Sequence, residues 1–176
     1  FEDGDVTHVE GRIDPVADAE TIETELMIAD MESIEKRLAG LTRKLRGGDA
    51  DAVQADRLLR TALAALEAGR PARSVPVAEE DARAWRMLQL LTAKPVLYVC
   101  NVEEASAASG NTQSARVAEL AAAQGAGHVV ISARIEEELA QLPADEAAEF
   151  LSDLGLTEPG LDRLIRAGKV RAIGAS

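Results

Sequence analysis

Hydrophobic positions in the first half of the chain repeat with the period of a helix packed along its length. One stripe has apolar residues alternately four and three apart: Met27, Met31, Ile34, Leu38, Leu41 and Leu45. Beyond two glycines, a second stripe repeats this spacing: Ala55, Leu59, Ala62 and Leu66. We predict a first helix with Asp18 as its N-cap, and a second helix that ends near Gly69 and folds back antiparallel on the first.

The second half of the chain alternates short apolar runs with amphipathic stretches. Residues 96–100 and 128–131 are predicted to be strands buried on both faces, because each is a largely apolar run. Helices are predicted over 79–91, 114–124 and 135–142. Strands and helices in alternation with short links indicate an α/β fold with a parallel sheet, in which ligands bind beyond the carboxyl ends of the strands.

Composition limits the classes of function. The chain has 176 residues, of which 47% are hydrophobic, and a net charge of −12. This acid excess argues against binding to a phosphate backbone, so we expect no direct nucleic-acid contact in this stretch. The lone Cys100 excludes an internal disulfide and a multi-cysteine zinc site. No apolar run approaches roughly 18 residues, and the first residues are acidic, so we expect a cytoplasmic protein without a membrane span.

A segment that contains polar residues follows each predicted strand. Asn101, Val102 and Glu104 come after the first strand, and Ser132 and Ala133 come after the second. An amide both donates and accepts, an ionised carboxylate accepts, and backbone N–H groups on the second loop donate. Together these groups can recognise the edge of a flat heterocycle. The competing interpretation is that Asn101 caps a loop and Glu104 is solvated.

The order of these motifs resembles one family. Asn101-Val-Glu-Glu104 stands where P-loop NTPases that bind guanine nucleotides have Asn-Lys-x-Asp, and Ser132-Ala-Arg134 stands where they have Ser-Ala-Lys. With Gly11-Arg-Ile-Asp-Pro15 and Phe150-Leu-Ser-Asp-Leu-Gly155, they make the chain similar to the YchF, or Obg-like ATPase, family up to about Ala167. The exchange of Lys for Val and of Asp for Glu weakens the case for guanine selectivity and leaves adenine open.

The resemblance implies a fold, cofactors and a partner. It implies a partial P-loop NTPase domain, G-domain-like, whose parallel sheet is interrupted by an antiparallel helical coiled-coil hairpin. Residues 1–20 and 92–167 then belong to the G domain, residues 21–91 are the insertion, and residues 168–176 are a remnant of a linker or of a TGS domain. It also implies a ribosome-associated hydrolase that uses Mg²⁺ and ATP, with ATP preferred or equal to GTP. The implied base site comprises Asn101, Val102, Glu104, Ser132 and Ala133.

One motif of that family has no counterpart in this sequence. There is no Gly-x-x-x-x-Gly-Lys-Ser/Thr, and the single Gly-Lys pair is Gly168-Lys169. The missing loop would cradle the phosphates and supply a hydroxyl to Mg²⁺, so we expect this chain alone to hydrolyse no ATP. We interpret the chain as a piece of a longer protein, with a strand-like remnant at 169–173. The alternative function is a non-catalytic protein-interaction module with a vestigial nucleotide site.

Overall fold

The computed structural model describes the backbone of residues 14–174 and the side chains of residues 14–169. The helices are α1 (Pro15–Arg46), α2 (Ala50–Glu67), α3 (Ala82–Met87), α4 (Thr112–Ala123), α5 (Ala133–Leu139), α6 (Ala144–Asp153) and α7 (Gly160–Gly174). The strands are β1 (Leu97–Asn101) and β2 (Gly127–Ile131). None of the described helices is long and apolar enough to cross a bilayer.

The chain divides into two compact units. Asp18–Pro95 forms a helical unit, and the described residues before and after it form an α/β unit. The sequence analysis predicted borders at 20/21 and 91/92, and the two compact units meet at 17/18 and 95/96. The assignment of the α/β unit to a G domain, and of the last residues to a linker or TGS remnant, stays a prediction.

The helix α1 begins earlier than predicted. Asp14 Oδ1 accepts a hydrogen bond from Ala17 N at 3.4 Å, which makes Asp14 rather than Asp18 the N-terminal cap. Pro15 then occupies the first helical position, where its fixed φ suits the helix and its missing N–H costs nothing. Asp18 lies in the first turn, where its charge favours the helix dipole. The helix therefore has 32 residues.

The two predicted helices and their apolar stripes are confirmed. Asp49 ends the short link and caps α2 by accepting from Ala52 N at 3.0 Å. Gly69, just beyond α2, has a φ of 69°, which suits glycine at a helix end. Residues of both stripes pack in one core with Leu58 and with four residues that follow α2: Ile34, Leu59, Ala62 and Leu66 from the stripes, and Ala72, Trp85, Leu88 and Leu90 from beyond α2. Supercoiling of the pair stays a prediction.

A buried carboxylate on α1 holds the segment that follows α3. Asp30 accepts hydrogen bonds from Leu91 N at 2.8 Å, Thr92 N at 2.8 Å and Thr92 Oγ1 at 2.7 Å. The Thr92 hydroxyl in turn accepts from Ala72 N at 3.1 Å. One acidic side chain therefore satisfies three donors, two of them buried, and connects α1 to two distant parts of the unit.

The single helix predicted over 79–91 is wrong. The segment forms a 3-10 turn at Glu79–Asp81, the short helix α3, and a second 3-10 turn at Leu91–Ala93. Gln89 has a φ of 54°, which breaks the helix, and Arg37 Nη1 donates to the carbonyl oxygen of Leu88 at 2.6 Å. Hydrogen bonds from α1 thus replace those that a continuous helix would make, and Met87 is left 70% exposed.

The two predicted strands pair in parallel, as expected. Their register places Leu97 beside Gly127 and Asn101 beside Ile131. Successive side chains of a strand point to opposite faces of the sheet. Their contacts therefore show which helix covers each face. Tyr98 donates from its hydroxyl to Gln124 Oε1, at the end of α4, at 2.8 Å. On the opposite face α7 begins against Ile131.

Gly160 explains how α7 approaches the sheet so closely. A Cβ at this position would lie 2.9 Å from Ile131 Cγ2 and 2.9 Å from Glu136 Oε1. Its own N–H donates to that Glu136 oxygen at 2.7 Å. The strand-like interpretation of residues 169–173 is wrong, because α7 continues through them as a helix.

The prediction that β1 is buried on both faces is also wrong. Val99 is 45% exposed, whereas Val129 beside it on β2 is 7% exposed. The helix α7 packs mainly on β2, and β2 is the sole strand neighbour of β1 in the described part of the chain. A separate small core of Ala107, Ile135, Leu151 and Leu156 lies where α5 and α6 pack.

We predict that Asp30→Ala destabilises the protein by about 3 kcal/mol, because it leaves two backbone donors and a hydroxyl without their acceptor. Urea denaturation followed by circular dichroism measures this change. Glu32→Ala is the matched control, since Glu32 is an exposed acid on the same helix; it should shift stability by less than about 0.5 kcal/mol. Equal effects of the two substitutions would contradict the role given to Asp30.

A second prediction concerns acid. Asp81 contacts Arg57 Nη2 at 2.6 and 2.7 Å and Gln54 Nε2 at 2.8 Å. The hydrogen bond from Arg57, followed by that from Gln54, lowers the pKa of Asp81. Its stabilising effect is therefore complete above the unfolded pKa of roughly 4 and is lost as pH falls through the folded pKa. Urea midpoints of the native chain and Asp81→Asn should differ at pH 7 and converge on acidification. The exposed neighbour Glu79→Gln should give no such convergence.

Candidate functional site

The parallel register brings the two predicted loops to one edge of the sheet. Asn101 and Ile131 are the last residues of β1 and β2 and lie beside each other. The ladder extends one step further, because Val102 N donates to the Ile131 carbonyl at 2.8 Å. The loops that start at residues 102 and 132 therefore leave the sheet side by side.

The Asn101 amide joins these loops directly. Its Oδ1 accepts a hydrogen bond from Ala133 N at 2.9 Å. Ala133 is the first residue of α5, and the N-cap residue Ser132 makes no capping bond with its own side chain. Asn101 thus supplies the cap of α5 from the neighbouring strand. With its oxygen engaged, the exposed amide offers its Nδ2 donor outward.

Glu104 reaches the second loop through an ion pair. Its Oε1 lies 2.5 Å from Arg134 Nε, in a charge contact that is not an aligned hydrogen bond, and Arg134 Nε is also 3.8 Å from Glu138 Oε1. The Arg134 side chain is 75% exposed and that of Glu104 is 38% exposed, so solvent screens the pair. Glu104 lies toward α5 in this screened contact, and a ligand donor at the same carboxylate oxygen would compete with Arg134.

Two of the predicted site residues are buried. Val102 points to the face covered by α4, where it lies near Val117 beside a cavity. Ser132 is 3% exposed, and its hydroxyl has no hydrogen-bond partner among the described residues. Asn101 and Ala133 are exposed at the edge, with Glu104 half-buried next to them. The structure thus brings the five residues to one edge but presents only three of them outward.

A cavity of about 430 Å³ lies between the end of β1 and the start of α4. Asn101, Val102 and Cys100 line it, whereas Glu104, Ser132 and Ala133 do not. The cavity is therefore not a site that the five predicted residues form together. Burial raises the pKa of the Cys100 thiol, so this side chain is a protonated, weakly reactive wall of the cavity.

Comparison with known proteins gives close relatives over nearly the whole chain. The chain is 44% identical over 169 residues to the "Ribosome-binding ATPase YchF" of Bacillus subtilis, a match of 95% of this chain and 46% of that protein. It is 42% identical over 168 residues to the Haemophilus influenzae protein of the same name, covering 96% and 46% of the two chains. The structure of the Schizosaccharomyces pombe YchF GTPase superposes with a TM-score of 0.80 at 29% identity, covering 96% of this chain and 47% of that one.

The chain is a YchF homologue. It spans about half the length of the curated YchF relatives that it matches. No family model matches it. The resemblance inferred from the motifs is thereby confirmed.

The sequence analysis missed the contact that Arg134 makes at this edge of the sheet. Arg134 was treated only as the third residue of a motif, yet its side chain contacts the Glu104 carboxylate. The sequence did carry a signal for this contact: Arg134 in one loop and Glu104 in the other have opposite charges. Asn111 and Ser114 also escaped notice: they form a reciprocal capping box that sets the start of α4 beside the cavity.

We predict that Asn101→Ala releases Ala133 N, so that this amide exchanges with solvent about fivefold faster, corresponding to the loss of about 1 kcal/mol. Asn101→Asp is the matched control, because its carboxylate can still accept from Ala133 N. Hydrogen exchange followed by NMR measures the rate. Equal protection of Ala133 in the native chain and Asn101→Ala would contradict the cap that Asn101 provides.

Proposed function

We propose that this chain carries the base-recognition side of a nucleotide site in a ribosome-associated, YchF-type ATPase, and that its helical unit is a partner-binding arm. The base of ATP or GTP would lie against Asn101, Glu104 and Ala133, with the buried residues Val102 and Ser132 behind them. The observation that supports this most is the hydrogen bond from Ala133 N to Asn101 Oδ1, which joins the two motif loops into one edge.

The orientation of the Asn101 amide requires a hydrogen-bond acceptor on the ligand. Since its oxygen is occupied, Nδ2 is left to donate, and it needs an acceptor on the ligand. N7 is such an acceptor, and adenine and guanine both carry it. Pyrimidines carry carbonyl acceptors too, so this donor suits either purine but by itself neither excludes pyrimidines nor chooses between the two purines.

The choice between adenine and guanine depends on Glu104. Guanine has an N1–H and a 2-amino group that require an acceptor, and a carboxylate is the natural one. Arg134 already engages Glu104 at 2.5 Å, so guanine would have to displace a charge partner. Adenine makes no such demand. This competition supports binding of ATP at least as well as GTP.

These residues do not form a site for the phosphates of a nucleotide. The sequence lacks a Gly-x-x-x-x-Gly-Lys-Ser/Thr loop, and in residues 14–169 no three His, Cys, Asp or Glu side chains are grouped to hold a metal. The donor set fits a base but does not fit Mg²⁺ or a triphosphate. We therefore assign no hydrolytic step to these residues and expect no ATP turnover by this chain alone.

The test uses nucleosides, which probe the base without the phosphates. We expect adenosine and guanosine to move the NMR signals of the Asn101 side-chain amide and of Ala133 N. Asn101→Asp keeps the cap of α5 but replaces the donor, so it should weaken purine binding by about fivefold, the equivalent of one hydrogen bond of about 1 kcal/mol.

Glu104→Asp separates the two purines. The shorter carboxylate cannot reach Arg134 as Glu104 does, so its oxygens are free and the ratio of guanosine to adenosine affinity should rise. An unchanged ratio would remove Glu104 from base recognition. If no purine shifts either signal, the nucleotide site is vestigial, and the alternative function, a non-catalytic interaction module, is the better account.

A further inference from the structure

The outer edge of β2 has no strand beside it among the described residues, whose sheet has the order β1–β2. Gly127 N donates to the Val96 carbonyl at 3.2 Å, so Gly127 and every second residue after it direct their main-chain groups toward β1. The main-chain groups of His128 and Val130 therefore point outward, and none of them makes a hydrogen bond within residues 14–174. Their N–H and carbonyl groups are left open at this edge.

A groove of about 610 Å³ lies along this edge. The strand residues 127–130 line it, together with Leu97 of β1. Further lining residues belong to the loop 108–110 before α4 and to α7, which contributes Arg163 and Arg166. The volume falls within the range of roughly 300–1,000 Å³ that is typical of ligand sites, so the groove can hold a short segment of chain.

Arg163 is a cation without an acceptor in this groove. Its side chain is half-buried, its Nε is fully enclosed, and it makes neither a side-chain hydrogen bond nor an ion pair with the described residues. Buried polar groups almost always have a hydrogen-bond partner, so we expect another molecule to supply an acceptor for this nitrogen. The neighbouring Arg166 is paired with Glu158, which is the one acid among the lining residues. The groove therefore carries one guanidinium whose charge is not neutralised.

We propose that the outer edge of β2 binds an extended peptide segment of a partner protein, which adds to the sheet as a third strand and places an acidic side chain against Arg163. Strand addition to an open sheet edge uses main-chain hydrogen bonds for affinity and side-chain contacts for specificity. The main chain of His128 and Val130 provides the hydrogen bonds. The Arg163 guanidinium provides the specificity, because its planar donors match a carboxylate.

A peptide accounts for both features of the groove, whereas a free anion accounts for one. A carboxylate alone would pair with Arg163 but would leave the carbonyl groups of His128 and Val130 without donors. A neutral strand would pair with this main chain but would leave Arg163 Nε without an acceptor. Leu97 and Val129 add apolar surface to the groove, which suits apolar or β-branched side chains beside the acidic one.

The net charge of −12 sets a condition on the peptide. The whole chain repels acidic molecules at long range, but salt screens exposed charges over about 8 Å at physiological ionic strength. Arg163 lines the groove and acts within this distance, and the charge of Glu158 is balanced by Arg166. A peptide with a single acidic residue should therefore bind better than one with a run of acids.

The test measures binding of the native chain to a fluorescent peptide with blocked ends, Thr-Val-Thr-Glu-Thr-Val-Thr, by anisotropy at about 0.15 M salt. Replacing the peptide Glu by Gln, or Arg163→Gln in the chain, should each weaken binding at least about tenfold, as expected for a hydrogen bond between charged groups. The two changes together should weaken it no more than either alone, because they remove the same contact. Lys169→Gln is the matched control, since Lys169 is an exposed base of α7 that does not line the groove; it should leave the affinity within about twofold.

Methylation of the peptide main chain tests strand addition separately. An added strand pairs with its neighbour through every second residue, so methylating the nitrogens of one alternate set should abolish binding and methylating the other set should preserve it. Equal effects of the two methylated peptides would contradict strand addition.

His128 offers the corresponding change in the protein. His128→Pro removes an outward N–H from an exposed edge residue, a position where proline is tolerated, and should weaken binding at least about tenfold. His128→Thr keeps the N–H and is the matched control. In the native chain, hydrogen exchange at His128 and Val130 should slow when the peptide is added, whereas Val129 and Ile131, already bonded to β1, should change little. This measurement needs no substitution, so it decides the question even if His128→Pro unfolds the chain.

Three results would overturn the proposal. Equal binding of the peptide and of acetylglutamate amide would indicate an anion site without strand addition. Tighter binding of a peptide of the same length made only of Glu would show that charge alone governs binding. Protection of His128 and Val130 that rises with protein concentration, without peptide, would indicate that two copies of this chain pair edge to edge. The assay contains no nucleotide, so its outcome is independent of the proposed base site.

Discussion

The parallel pairing of β1 with β2 decides where every candidate site residue lies. With Asn101 beside Ile131, the chain must leave both strands at the same edge, and two motifs about thirty residues apart become neighbours. The Asn101 side chain can then cap α5 from the adjacent strand, which Ser132 does not do for itself. A shift of the register by one residue would turn Asn101 to the other face of the sheet and remove the cap.

Periodic features were predictable from the sequence, and features set by distant residues were not. The heptad-like stripes predicted α1 and α2 because burial of one helix face repeats along the chain. The prediction for segment 79–91 was wrong because its helix ends at hydrogen bonds with Asp30 and Arg37. These two residues lie more than fifty positions before their partners in the sequence. Local propensity favoured a continuous helix, and tertiary hydrogen bonds prevailed over it.

The candidate site was predictable in place but not in detail. Strand–loop alternation located Asn101, Glu104 and Ser132 at one edge, since ligand sites of parallel sheets lie there. Burial of Val102 and Ser132 depends on how α4 and α5 pack, which no pattern within the loops encodes. The competing interpretation, that Asn101 acts as a cap, describes its oxygen, which caps α5; recognition of a ligand stays a prediction, and it would use the amide nitrogen.

The bond from Asp30 to Thr92 also bears on the order in which the helical unit assembles. It joins residues 62 positions apart, whereas the link between α1 and α2 spans only residues 47–49. The entropy lost on closing a loop grows with its length, so contacts across the hairpin form at a smaller entropic cost than the contact between Asp30 and Thr92. The hairpin is thus the natural nucleus of this unit. We expect the polypeptide after α2 to dock onto this hairpin afterwards, where the Asp30 carboxylate binds it.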